Sequence, residues 1–220
     1  METMLDFDKA RANMVESQIR TNKVTDERLV AAMRAIPREI FVPPALQGVA
    51  YVDEDLNVGG GRYMTEPMVL ARLLQSADVG PEDAVLVIGS TTGYAVALLA
   101  QLAETVVGIE DDAELVNAAD KNLAALGIDN AAVIRLSLAE GYAKQAPYDV
   151  ILIEGRCGVV PEVITRQLAP GGRLVTVTDE RGVGKATLLR RSGDTVSGRV
   201  LFDAQVPALG CFARKSEFVF

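Results

Sequence analysis

Two short segments of this chain carry residues whose types and spacing could do chemistry together. Val85-Leu86-Val87-Ile88 runs into Gly89-Ser90-Thr91-Thr92-Gly93, and Val106-Val107-Gly108-Ile109 ends on Glu110 and Asp111. A glycine-flanked turn lets backbone approach a ligand closely, and an acid about 20 residues further on can bridge the vicinal hydroxyls of a ribose. A strand, turn, helix and second strand bring both to one edge of a sheet. The chemistry is therefore that of a nucleotide-type cofactor site. The plainer reading of Glu110 is a solvated acid that, with Asp111 and Asp112, favours the positive end of the next helix.

What the chain lacks narrows the reaction further. Its 220 residues include no histidine, so Ser–His and Cys–His nucleophiles and histidine metal centres are excluded, and no metal is expected. Cys157 and Cys211 form no Cys-x-x-Cys pair and read as ordinary thiols of a reducing compartment, Cys157 as packing. A formal net charge of −8 sets a repulsive field for polyanions, so nucleic acid is not an expected partner. Hydrophobic residues make up 49%, without a long apolar run, and Met1 to Asp8 carries Glu2, Asp6 and Asp8 rather than basic residues. Neither a secretory leader nor a membrane span is expected, and the cytoplasm is the expected location.

The elements that must position these residues follow from periodicity. Apolar positions from Leu5 to Ile19 fall at helical spacing, and Thr25-Asp26 predicts a cap for a helix through Ile36. Pro37, Pro43 and Pro44 break the pattern, and Gly59-Gly60-Gly61 marks a pliant or closely approached loop before a helix from Glu66 to Ala77 with Pro67 in its first turn. Beyond Gly80-Pro81 the pattern alternates: strand 84–89, helix 93–103, strand 105–110, helix 112–126, strands 131–136 and 148–154, helix 160–168 and strand 172–178. Such alternation predicts an α/β fold with a doubly wound, mostly parallel sheet. Ala186–Arg191 and Arg199–Val206 suit a C-terminal antiparallel hairpin. The expected division is a helical extension with an active-site loop, 1–80, packed on a Rossmann-like core, 81–220.

The chain as a whole resembles the protein-L-isoaspartate O-methyltransferase family. The phrases that carry the resemblance are Met14-Val15-Glu16-Ser17-Gln18, Val24-Thr25-Asp26-Glu27-Arg28, Pro37-Arg38-Glu39-Ile40-Phe41-Val42-Pro43, Ala50-Tyr51, Ile88-Gly89 through Gly93-Tyr94, Ala146-Pro147-Tyr148-Asp149 and Gln167-Leu168-Ala169-Pro170-Gly171-Gly172-Arg173-Leu174-Val175. The resemblance implies a class I methyltransferase that uses S-adenosylmethionine, leaves S-adenosylhomocysteine, and acts on isoaspartyl residues of damaged proteins or peptides, as a monomer or weak homodimer. By the same resemblance Gly89, Ser90, Thr91, Thr92 and Gly93 lie against the cofactor, Glu110 and Asp111 at the ribose, Glu140 near the adenine, and Thr65 of Thr65-Glu66-Pro67 holds the substrate carboxylate. The reaction suits a chain without imidazole, because a carboxylate with a pKa of about 4 is already ionised at neutral pH and needs positioning more than a base.

The chain departs from the family pattern at four places. Thr91 stands where the turn has its middle glycine; if positive φ is required there, threonine costs about 1–2 kcal/mol. Val87 replaces an acid before Ile-Gly, and Glu154 is positioned to compensate as partner of the cofactor's ammonium. Glu154-Gly155-Arg156 replaces a small uncharged run, and Gly60 replaces a histidine. The bland readings are an N-cap role for Thr65, a surface acid at Glu140 and a local ion pair between Glu154 and Arg156. The competing function from another class is a degenerate member that keeps the fold and serves as a binding protein. A nicotinamide dehydrogenase would want glycine at Thr91 and glycine or alanine at Tyr94.

Overall fold

The computed structural model describes residues 6–213. Helix α1 (Phe7–Met14) starts on Asp6, whose carboxylate accepts the Lys9 N–H at 3.0 Å. Helical backbone continues to Ile19 as expected, but from Val15 it widens into a π-helical turn. Helix α2 (Glu27–Ala35) opens on Asp26, which accepts the Arg28 N–H as its N-cap, and Pro37 limits its continuation. The triple glycine is no pliant linker. It turns a hairpin between β1 (Leu56–Gly59) and β2 (Arg62–Met64), with Gly59, Gly60 and Gly61 all at positive φ. Helix α3 (Pro67–Ala77) then begins with Pro67 at its first position.

The core is a seven-stranded sheet. Its strands are β3 (Ala84–Ile88), β4 (Thr105–Glu110), β5 (Ala131–Arg135), β6 (Tyr148–Cys157), β7 (Leu168–Glu180), β8 (Val183–Ser192) and β9 (Thr195–Asp203), in the spatial order β5-β4-β3-β6-β7-β8-β9. The first five are parallel, and β8 and β9 add an antiparallel edge that includes the expected C-terminal hairpin. Helices α4 (Tyr94–Ala100), α5 (Ala113–Ala125) and α6 (Glu162–Thr165) make the crossovers. The helix expected over 160–168 is thus only one turn, because Leu168 is already drawn into register with Tyr148 as the start of β7.

Val85 to Ile88 are buried on both faces, as an apolar run in a central parallel strand requires. Val85 and Val87 join a cluster that takes in α1, α2, α3 and α4, while Leu86 and Ile88 join a second with Ile109, Ile153, Leu209 and Phe212. β3 is also where the order reverses, with β4 on one side and β6 on the other. Ligands of open α/β sheets sit beyond the strand ends at such a switch point.

Candidate active site

Beyond the carboxyl end of β3 the chain turns through Gly89 (φ 76°), Thr91 (φ 51°) and Gly93 (φ 94°). The amides of Gly89 and Ser90 donate to the Ile109 carbonyl at 3.0 and 3.1 Å, which ties the turn to the end of β4. The Thr92 hydroxyl donates to the Phe41 carbonyl at 2.6 Å, and the Asn122 amide donates to the Thr92 carbonyl at 3.0 Å. Thr91 thus adopts the left-handed backbone expected to strain a β-branched residue. It is also buried, and its hydroxyl has no hydrogen-bond partner among the described residues. Thr91→Gly relieves both costs while losing a buried methyl and loosening the unfolded chain. The expected net is a gain of about 1 kcal/mol, seen as a higher thermal midpoint; a lower midpoint would mean that the threonine packs better than its backbone strains.

Glu110 is not a solvated acid. Its side chain is fully buried at the end of β4, accepting the Thr91 N–H at 3.2 Å on one oxygen and the Asp111 N–H at 2.9 Å on the other. Loss of solvent, with the Asp111 carboxyl beside it, pushes its carboxyl above the ordinary range, outweighing the Arg62 guanidinium and the Asp111 and Asp112 amides. Arg62, from β2, donates to Glu110 at 3.2 Å and to Asp111 at 2.5 Å. Nothing in the sequence pattern pointed to Arg62, since its partners lie almost fifty residues away. Asp112 caps α5 by accepting the Glu114 N–H.

Thr65 is clamped through its own peptide groups. Its carbonyl accepts from the fully buried Arg38 at 2.8 Å, and its N–H donates to Glu154 at 3.3 Å. It is not the N-cap of α3, for which Asp55 and Asp53 accept the Glu66 and Met68 amides. Arg38 also donates to the Ala50 carbonyl at 2.8 Å and lies over the Tyr94 ring, 4.8 Å from its centroid. Its signal in the sequence was a buried-looking phrase between prolines, which gives no hint that a charge would go inside. Glu154 is 4% exposed with its second carboxylate oxygen unpartnered among the described residues, and burial pushes its carboxyl up to about 7. The ion pair weighed for it does not form: Arg156 reaches Asp179 instead, at 3.6 Å.

These groups converge; Glu140 lies on the turn that follows β5. Its carboxylate is exposed on the 3-10 turn Leu138–Glu140, and its carbonyl is held by Gln167 at 2.7 Å. Cys157 is buried, 3.6 Å from the Thr176 hydroxyl, and its thiol is pushed up to about 12, as suits packing rather than nucleophilic use.

Residues 9–206 match the model of the family described as protein-L-isoaspartate(D-aspartate) O-methyltransferase. The chain belongs to the protein-L-isoaspartate O-methyltransferase family. Relatives of that name include one from Methanoculleus marisnigri, 38% identical over 95% of this chain and 96% of its own length, and one from Methylorubrum extorquens, 38% identical over 90% and 87%. The fold agrees with a solved protein-L-isoaspartate O-methyltransferase at a TM-score of 0.80 and 24% identity, over 91% of this chain and 66% of that longer one. It agrees also with a putative member from Plasmodium falciparum in complex with S-adenosyl-L-homocysteine, at a TM-score of 0.78 and 19% identity over 94% and 99%.

The donor set fits the S-adenosylmethionine that this family uses. A buried carboxylate faces the turn where a ribose would be held, and the orphaned oxygen of Glu154 offers a counter-charge to an ammonium. The crevice between them is, however, covered by the chain's own Arg62 and Leu209.

Proposed function

We infer that the protein is an S-adenosylmethionine-dependent carboxyl O-methyltransferase acting on L-isoaspartyl residues of damaged proteins or peptides, a protein-repair reaction. Beside family membership, the observation that carries this reading is Thr65, held rigidly between Arg38 and Glu154 one strand end away from the turn and Glu110. When bound, the cofactor supplies an electrophilic sulfonium methyl. Gly89 and the Ser90–Thr91–Thr92–Gly93 turn would lie against it, Glu110 would hold its ribose with Asp111 alongside, and Glu154 would face its amine. Glu140 would serve the adenine end from the turn after β5. The chain itself needs no general base, because the substrate carboxylate is already ionised.

Catalysis is positioning. The Thr65 hydroxyl would hold one carboxylate oxygen and leave the other to attack, while the buried surroundings keep water from the nucleophile. Among the described residues no helix is long and apolar enough to cross a membrane. The acidic charge and two free thiols support a cytoplasmic enzyme, a monomer or weak homodimer, that takes peptides rather than nucleic acid. The test is methyl transfer from labelled S-adenosylmethionine to an isoaspartyl peptide and to its aspartyl twin. Labelling of the first alone is expected; labelling of neither, with no binding of S-adenosylhomocysteine, would select the degenerate binding protein.

A further inference from the structure

The closure of the crevice is built from several independent contacts. After β9 the chain returns along the end of β6: the Arg156 N–H donates to the Pro207 carbonyl at 2.9 Å, the Leu209 N–H to the Arg156 carbonyl at 3.0 Å, and the Gly158 N–H to the Phe212 carbonyl at 2.8 Å. This lays Leu209 across two glycines. A Cβ on Gly89 would stand 3.2 Å from a Leu209 methyl, and one on Gly155 would stand 3.0 Å from the Leu209 Cβ. Phe212 is 3% exposed and packs with Ile88, Ile109 and Leu138. Cys211 stands in the field of Arg62, Asp111 and Glu110, and Arg62 occupies the carboxylate that a ribose would need. What remains open beside Thr65 and Glu154 is a cavity of about 10 Å³, far below the about 300–1,000 Å³ usual for small-molecule sites.

We propose that the segment Val206–Phe212, locked by Arg62 on Glu110, is an internal strap that occupies the cofactor crevice and must lift before the cofactor enters. The floor at Gly89, the acid at the end of β4 and the apolar wall that follows β5 are the features a bound adenosyl group would use; the strap covers the first with Leu209 and the last with Phe212, and Arg62 holds the acid. Cofactor affinity is then set by competition with the chain's own side chains, and only the fraction with the strap lifted binds. This rests on the cofactor reading given above.

Calorimetric titration with S-adenosylhomocysteine compares the full chain with Leu209→Ala, Arg62→Ala and the conservative Leu209→Met, each first shown to unfold cooperatively. Leu209→Ala and Arg62→Ala are expected to bind at least about tenfold more tightly, as a tenfold larger open fraction requires, and Leu209→Met as the parent does. On the unmodified chain, amide hydrogen exchange at Arg156, Gly158 and Leu209 should speed up when S-adenosylhomocysteine is added, the reverse of the protection a ligand ordinarily confers. Equal affinity in all four proteins, or slower exchange at those amides, overturns the strap and leaves the cofactor reading standing. No binding by any of them overturns both.

Discussion

Replacing Arg38 with alanine is expected to lower stability by about 3–5 kcal/mol, the range for removing one member of a buried charged network. The guanidinium is wholly buried, and two of its nitrogens satisfy the carbonyls of Ala50 and Thr65. Truncation strands both carbonyls, opens a cavity beneath Tyr94 and leaves Glu154 without the positive charge that favours its ionised form. Against a total of about 5–15 kcal/mol for an ordinary domain this is a large share. Arg38→Lys keeps the charge but has no planar fork to span the two acceptors, so it should recover only part of the loss. Denaturant melts measure the first effect. Turnover of an isoaspartyl peptide by whatever folds measures the second, since Thr65 loses one side of its clamp. A loss below about 1 kcal/mol, the scale of a single ordinary hydrogen bond, would show that Arg38 is not the keystone its contacts suggest.

Glu154→Gln should act in the opposite direction on stability. Folding lifts the Glu154 carboxyl from its ordinary 4.5 to about 7, because burial and Glu110 outweigh the Thr65 amide and Arg38. The unfolded chain therefore releases this proton earlier than the folded one. The group costs nothing below about pH 4.5, costs increasingly as pH rises, and above about 7 its full cost is about 3 kcal/mol, at about 1.4 kcal/mol per pH unit. Glutamine removes that cost, so the variant should be more stable than the parent at pH 8 and close to it near pH 4.5. Its affinity for S-adenosylhomocysteine should fall by about tenfold, the worth of one charge-assisted contact of about 1.4 kcal/mol. Thermal midpoints across that range test the first expectation and calorimetry the second. An advantage that does not grow with pH would mean that Glu154 is already ionised at its place.

Much of the fold was legible in the chain because local pattern and tertiary demand agree there. The apolar run Val85–Ile88, the caps at Asp26 and Asp112 and the glycines at 89 and 93 each serve the structure as their types predict. The misses have a common cause: they were decided by distant partners. Leu168 leaves its helix because Tyr148 is waiting in the sheet, and the glycines at 59–61 form a hairpin because Leu56 and Met64 pair. At the site, Glu110 and Thr65 were visible from spacing and from resemblance to the family. Arg38 and Arg62 were not, since no local rule places a guanidinium inside a core or over an acid almost fifty residues downstream.

The sheet order also sets when the molecule can be completed. β3, the strand that launches the cofactor turn, pairs with β4 soon after it, but its other flank waits for β6, and the Ala84 N–H finds its Asp149 acceptor only 65 positions later. A chain emerging from the ribosome therefore holds the turn and Glu110 in hand while one wall of the crevice is still unsynthesised. Contacts of such separation are slow to close, and half-built sheets expose pairing edges. Chaperone dependence should accordingly be concentrated in the interval between translation of β4 and translation of β7.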